Sequence, residues 1–307
     1  MRVDSFLKIS AIICTKDRPD GVLRCLDSIL IQSYLPDEII IVDAGQGFEL
    51  CERLNDWTGK EKFKLVYVRS EPGLPHQRNV GVSESSGEII FFFDDDIVLE
   101  GAYIEEIIKV FSADPTGEIG GVMGDIYEAR VSRQTWAWWQ HFLRAIFLLP
   151  HFGDGRFLAS GAPAWPYGTD EARPTEFLCG GQVAYRRQVL GEYKFDGALK
   201  ANAPYEDVDF SYRVSRTYRN MYTPLAKCSH LEFPVADTND AKIRRRANFA
   251  YVSRKNLPPT MKHRIAFWIA LQGWRIVPRI EYYAWRIEKA IKGELPWTKR
   301  NPGIGKG

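Results

Sequence analysis

Cysteine is present in this sequence but in no productive pattern. The five residues Cys14, Cys25, Cys51, Cys179 and Cys228 are odd in number, widely spaced and contain no CxxC pair. That excludes a disulfide framework and a thiolate zinc site as organising devices, and it fits a reducing compartment. Net charge is also scarce, +2 over 307 residues, so bulk electrostatics give no reason to propose nucleic acid as a partner. No apolar run reaches membrane-spanning length. Residues 1–8 carry charges and run straight into a strand, which leaves no room for the apolar core of a signal peptide. The expectation is a cytoplasmic protein, free or peripheral on the inner face of the membrane.

What is present is an ordinary globular composition, 45% hydrophobic and 26% charged, in a chain long enough for one large domain with an extension. Ile9 to Cys14 reads as a buried strand, followed by a turn-forming loop from Thr15 to Gly21 and a helix whose apolar positions Val22, Cys25, Leu26, Ile29 and Leu30 recur at helical spacing. Strand Glu38 to Val42 ends at Asp43. A helix from Phe48 to Trp57, a strand from Lys64 to Val68 and a helix from His76 to Ser86 come next. This β-α alternation predicts an α/β protein with a mainly parallel central sheet and helices on both faces.

The chain is organised around Glu88 to Phe93, an unbroken apolar run that ends in Asp94-Asp95-Asp96. A buried parallel strand delivers such residues to the carboxyl edge of the sheet, where open α/β sheets bind ligands. Three crowded carboxylates resist ionisation unless a cation neutralises them, so the cluster calls for a hard divalent metal. A helix over Tyr103 to Phe111 and a strand over Ile119 to Met123 continue the pattern.

The middle of the chain changes character. An aromatic amphipathic stretch from Trp136 to Leu149 reads as a helix packed on the core. The Gly- and Pro-rich passage from Gly153 to Pro174, which carries Trp165, has the length of a lid or binding element. Gly180-Gly181 marks a backbone turn or a close ligand approach. Glu206-Asp207 opens a helix, where the dipole favours carboxylates. Beyond residue 236 the sequence turns basic and aromatic. Met261 to Lys292 suits either helices lying on an anionic membrane surface or a helical extension packed on the main domain, with Pro278 interrupting it.

The ordered set of motifs resembles the family 2 glycosyltransferases of the GT-A (Rossmann-like) fold. The matching residues are Ile12 to Arg18, Ile39 to Asp43, Gly73, Arg78-Asn79-Val80-Gly81, Gly87 to Ile90, the acidic triplet, Gly180-Gly181 with Arg186-Arg187, and Glu206-Asp207 with Arg213. Lys16-Asp17 departs from the family, which more often has an aromatic residue followed by Asn. The resemblance implies inverting transfer of a sugar from a nucleotide diphosphate donor (a UDP-, GDP- or dTDP-sugar) to a glycan or lipid-linked acceptor, as in polysaccharide biosynthesis. It implies Asp207 as general base. It implies a donor site of Thr15, Arg18, Asp43, Arg78, Asp94 and Asp95, and an acceptor side of Gly180, Gly181, Glu206 and Trp165. The implied cofactor is Mn²⁺ or Mg²⁺ on Asp94, Asp96 and His230, with the choice of two among the three triplet carboxylates left open. The Gln-x-x-Arg-Trp signature of processive synthases is absent, which favours addition of one or a few sugars.

The expected organisation is a catalytic domain over 1–235, with a donor half over 1–125 and an acceptor half over 126–235, and a basic, aromatic helical extension over 236–307. Two other readings compete. The run Phe91 to Leu99 also resembles the strand and DxD of haloacid dehalogenase-like phosphohydrolases, with Asp94 as nucleophile and Asp96 as acid or base, although there the motif opens the fold. A nonenzymatic carbohydrate-binding protein would keep the sheet and lose the chemistry.

Overall fold

A computed structural model describes residues 7–57, 62–199, 203–231 and 239–292. Most of the segment read for a signal peptide (1–6) and the far end of the extension (293–307) lie outside the described residues. In chain order the elements are β1 (Ile9–Thr15), α1 (Pro19–Leu30), β2 (Glu38–Asp43), α2 (Glu49–Asp56), β3 (Lys64–Arg69), α3 (Leu74–Glu84) and β4 (Ile89–Asp94). They continue with β5 (Ile97–Leu99), α4 (Tyr103–Ser112), β6 (Ile119–Ile126), α5 (Tyr127–Thr135), α6 (Trp138–Ile146), β7 (His151–Phe152), β8 (Ala164–Trp165) and β9 (Arg173–Thr175). Last come β10 (Gln182–Arg186), α7 (Arg187–Glu192), α8 (Glu206–Val214), β11 (Arg219–His230), α9 (Asn239–Asn256) and α10 (Met261–Ile291).

The main sheet runs β3-β2-β1-β4-β10-β6-β11-β5, with β9 on β11. Strands β3, β2, β1 and β4 are parallel neighbours, as are β6 and β11, whereas β10 enters antiparallel between β4 and β6. The sheet is therefore mixed but mostly parallel. After β1 the chain steps outward through β2 and β3, then returns to the other side of β1 for β4. That reversal opens a crevice beyond the carboxyl ends of β1 and β4, the place where doubly wound sheets bind ligands. Ile9 to Ile13 and Ile89 to Phe93 are buried on both faces, which is why they read as continuous apolar runs instead of alternating ones.

Two expectations fail here. The aromatic helix α6 has no buried residue, and Trp138, Phe142 and Ile146 are 77%, 55% and 52% exposed. It is not a core helix. Arg144 fixes it to α10 by a two-pronged ion pair with Glu281 at 2.9 Å, which turns the Trp138–Phe142–Ile146 stripe outward. Nor does Pro278 interrupt the last helix, since α10 runs through it without a break. Proline removes the N–H that would bond the carbonyl four residues back, and that carbonyl, on Trp274, instead accepts from Arg246 Nη2 of α9 at 3.2 Å.

The C-terminal helices are docked on α8 and on the segment around Leu149 and Ala162. Asp209 of α8, fully buried, accepts from Lys255 at 2.9 Å and Asn256 at 2.8 Å. Phe249, Ala270 and Val277 share a small core with Leu149 and Ala162. Among the described residues, no helix is long and apolar enough to cross a membrane.

Candidate active site

The triplet divides at the end of β4. Asp94 points to Arg78, its Oδ1 3.0 Å from Nη2. Asp95 points back to β1, accepting from Thr15 Oγ1 at 2.6 Å and Arg18 Nη1 at 3.1 Å. Asp96 meets Arg18 Nη1 at 3.1 Å and lies 3.3 Å from His230 Nε2 at the end of β11. Burial pushes Asp95 up to about 6 against the pull of Thr15 and Arg18, and raises Asp96, with Asp94 adding to the effect. Asp94 thus turns to Arg78, while Asp95 and Asp96 share Arg18 and part only at their second oxygens, toward Thr15 and His230.

The metal set expected from the sequence is only partly brought together. Asp96 and His230 meet, but Asp94 is held by Arg78, and among the described residues no three ligating side chains converge. Asp96 Oδ1 is buried without a hydrogen-bond partner; its approach to His230 lacks bonding geometry. An orphaned carboxylate oxygen beside an imidazole is a donor pair that suits a divalent cation, with the phosphates of a bound nucleotide completing the shell.

Arg78, expected in the donor site, is a fully buried clamp between Asp94 and Glu206, both ion-paired to it. Burial drives Glu206 up to about 8 and overrides the lowering by Arg78. The paired glycines belong to this clamp. A Cβ on Gly180 would collide with the Arg78 guanidinium, and one on Gly181 would stand 2.5 Å from Asp94 Oδ2. Gly180 and Gly181 are small so that the clamp can close beneath them.

Asp207, the next residue along α8, is raised by burial but holds two backbone donors, Gly180 N–H at 3.0 Å and Val208 N–H at 2.8 Å. Tyr205, just before Glu206, sits in the left-handed region at φ 75°, a conformation costly for a non-glycine residue and characteristic of functional sites. It packs against Phe249 of α9. Asp94, Arg78, Gly180, Gly181, Glu206 and Asp207 line one cleft of about 320 Å³, together with Trp165, Pro150, Pro163 and Arg245. Trp165 is braced by a stack on Tyr167 and the edge of Phe177.

Asp43 lies at the end of β2, buried, but its oxygens are already engaged by Gly45 N–H at 2.7 Å, Tyr67 OH at 2.7 Å and Arg69 Nη1 at 2.8 Å. Sequence reasoning missed those partners, and it missed Gln77, which bridges the Thr15 and Val42 carbonyls at 2.9 and 3.0 Å and ties the ends of β1 and β2 together. A polar residue at an apolar-phase position of α3 was the available signal. Arg245 had no local signal, because its place in the cleft depends on how α9 docks.

A family model described as Glycosyl transferase family 2 matches residues 10–163. Curated relatives include Glycosyltransferase GlyA of Streptococcus pneumoniae, 30% identical over 106 residues, 33% of this chain and 15% of that protein. The glucosyl-dolichyl phosphate glucuronosyltransferase of Haloferax volcanii is 27% identical over 128 residues, covering 40% and 41%. The matches therefore span less than half the length of these relatives. Among solved structures, the mannosyltransferase PcManGT from Pyrobaculum calidifontis in complex with GDP-Man and Mn²⁺ superposes with a TM-score of 0.59 at 16% identity, over 94% of this chain and 82% of that one. GalNAc-T7 with UDP, GalNAc and Mn²⁺ gives 0.58 at 15% identity, over 82% and 48%. The fold is GT-A.

Proposed function

This chain belongs to glycosyl transferase family 2, and from that premise we propose that it moves a sugar from a nucleotide diphosphate sugar to an acceptor hydroxyl with inversion at the anomeric carbon. Membership removes the phosphohydrolase alternative. The observation that carries the reading is the shared cleft of Asp207 and Asp94 beside the nucleotide-side cluster of Thr15, Arg18, Asp95 and Asp96. The similar structures bound to UDP and to GDP-Man support a nucleotide-sugar donor.

Asp207 is the general base. An alcohol is a poor nucleophile at neutral pH, and burial in a partly apolar cleft raises the Asp207 carboxyl, which makes it a stronger base for the alcohol's proton, while two N–H groups hold it in place. Glu206 is the poorer candidate, because it is locked on Arg78 and burial favours its protonated form. Arg78 and Glu206 position the floor, Trp165 offers an apolar face to the acceptor sugar, and Asp95 with Thr15 and Arg18 lies on the nucleotide side. Asp43 orders the end of β2 beneath the base. Asp96 and His230 would hold Mn²⁺ or Mg²⁺, which when bound supplies Lewis-acid neutralisation of the departing diphosphate.

The working organisation is a catalytic unit over 1–235 with the helices beyond 236 as a docked extension that also lends Arg245 to the cleft. The exposed faces of α6 and α10, with Trp138, Phe142, Trp268, Ile276 and Tyr283 beside basic Arg264, Arg275 and Arg279, favour peripheral contact with an anionic membrane and hence a lipid-linked acceptor. Nucleotide diphosphate release from a panel of nucleotide sugars with Mn²⁺, in wild type and Asp207→Asn, tests the reading. Phosphate release from simple monoesters with no donor turnover would defeat it.

A further inference from the structure

Two arginines line the cleft that holds Asp207. Arg78 is spent within it on Asp94 and Glu206. Arg245 is not, and among the described residues its guanidinium makes no hydrogen bond or ion pair. An exposed arginine on a helix is ordinarily a solvated surface group that needs no ligand. What distinguishes Arg245 is where the packing of α9 puts it.

Arg245, Asn248, Phe249 and Val252 stand at i, i+3, i+4 and i+7 of α9 and so share one face of the helix. That face is seated on the turn ahead of α8. Phe249 and Val252 are fully buried, Phe249 against the ring of Tyr205 and Val252 in a small core with Leu199 and Ala203. Asn248 Nδ2 donates to the Pro204 carbonyl at 3.1 Å. Arg245 continues the same face one turn earlier, where the packed contact gives way to the cleft. Burial raises the Tyr205 hydroxyl, and the charge of Arg245 opposes it. The neighbours of Arg245 on the helix diverge, since Arg246 goes to the Trp274 carbonyl of α10 and Arg244 does not line the cleft. The turn that receives α9 runs straight into Glu206 and Asp207, which brings Arg245 and Asp207 to one cleft.

An anionic group entering beside Asp94 and Asp207 would be repelled unless a cation received it, whereas a neutral sugar needs no counter-charge. The guanidinium fork matches carboxylate and phosphate. At about 320 Å³ the cleft lies at the small end of ligand pockets. A group held at Arg245 therefore belongs to the sugar that offers its hydroxyl to Asp207, or to the linkage next to it. The nucleotide-side residues Thr15, Arg18, Asp95 and Asp96 do not line this cleft, which sets Arg245 with the acceptor and apart from the donor. We propose that Arg245 is an acceptor-specificity residue, and that the acceptor carries an anionic oxygen group, a carboxylate or a phosphate, on or beside the sugar unit bearing the reacting hydroxyl. The word acceptor rests on the transferase reading, but the anion subsite does not.

The test is calorimetric titration of the full chain, with Mn²⁺ and whichever of UDP or GDP binds, against matched probes of the gluco, galacto and manno series. Each series holds the neutral octyl glycoside, the octyl uronide and the glycosyl octyl phosphate. Wild type is compared with Arg245→Gln, Arg245→Lys and Arg244→Gln, the last an exposed arginine of the same helix. At least one anionic probe is expected to bind wild type about tenfold or more tighter than its neutral partner, as for a charge-assisted hydrogen bond. That preference is expected to vanish in Arg245→Gln, survive in part in Arg245→Lys and stay intact in Arg244→Gln, with melting temperature and nucleotide affinity unchanged. Preference for the uronide identifies a carboxylate on the acceptor, and preference for the phosphodiester identifies a phosphate linkage. No anionic preference in wild type, its retention in Arg245→Gln, or an equal loss in Arg244→Gln overturns the proposal. So does a loss of nucleotide affinity in Arg245→Gln, which would assign the guanidinium to the donor. A preference that follows Arg245 in a protein that turns over no nucleotide sugar would leave the anion subsite standing and remove the transferase mechanism instead.

Discussion

Asp94 and Arg78 are joined at 3.0 Å, and that contact decides how the acidic triplet is used. It commits one oxygen of the first carboxylate, with Glu206, to a guanidinium buried from solvent. Asp96 lies against His230 instead.

Removing the guanidinium leaves two carboxylates without their counter-ion. Arg78→Met is expected to destabilise the fold by about 3–5 kcal/mol near pH 8, the range for breaking a buried pair. The loss is expected to shrink near pH 5, where Glu206 is protonated and neutral. Urea denaturation at both pH values measures it. Equal losses would mean that Glu206 is not the group left uncompensated.

The pH dependence of stability follows from the same carboxyl. Glu206 has an ordinary value of 4.5 and is raised to about 8 in the fold, so the folded state keeps a proton that the unfolded chain gives up. Its contribution is complete below about pH 4.5 and is lost as pH rises through 8. Asp95, raised to about 6, acts in the same direction over a lower window. Wild type measured against Glu206→Gln is expected to lose relative stability from pH 5 to pH 8. A relative gain would reverse the assigned shift.

Mn²⁺ affinity in the presence of UDP distinguishes the triplet members. His230→Ala and Asp96→Asn are each expected to weaken binding by at least about tenfold, while Asp94→Asn leaves it near wild type because Asp94 is turned to Arg78. Electron paramagnetic resonance of free Mn²⁺ gives the answer. Equal losses for Asp94 and Asp96 would restore the three-ligand set read from the sequence.

The continuity of α10 predicts a coupling between distant residues. Pro278→Ala is expected to stabilise the protein, since proline inside a helix costs up to about 3 kcal/mol. Arg246→Ala is expected to cost about 1 kcal/mol in wild type and less in the Pro278→Ala background, where the backbone N–H restored by the substitution takes the Trp274 carbonyl. A double-mutant cycle with no coupling would mean that Arg246 does not compensate the proline.

Much of this molecule was legible in the order of its residues. The parallel half of the sheet is written in the apolar runs Ile9–Cys14, Glu38–Val42 and Ile89–Phe93, because strands buried on both faces tolerate little else. The placement of Asp94 to Asp96 and of Glu206-Asp207 follows from their positions at a strand end and a helix start. What was hidden depends on contacts distant in sequence. Nothing local says that β10 inserts antiparallel beside β4, yet that insertion sets Gly180 and Gly181 over Arg78 and Asp94. The outward face of α6 was misread for the same reason, since an aromatic stripe at helical spacing looks identical whether it meets a core or a surface. Pro278 was misread because its remedy, Arg246, lies on another helix.

The central claim is single displacement with Asp207 as base, and the anomeric configuration of the first-formed product tests it most directly. Proton NMR of the product formed by wild type from its donor, recorded before any mutarotation, is expected to show inversion, with product formation lost in Asp207→Asn by about 10²-fold or more while UDP or GDP binding persists. Retention of configuration, or transfer at the wild-type rate by Asp207→Asn, would contradict it.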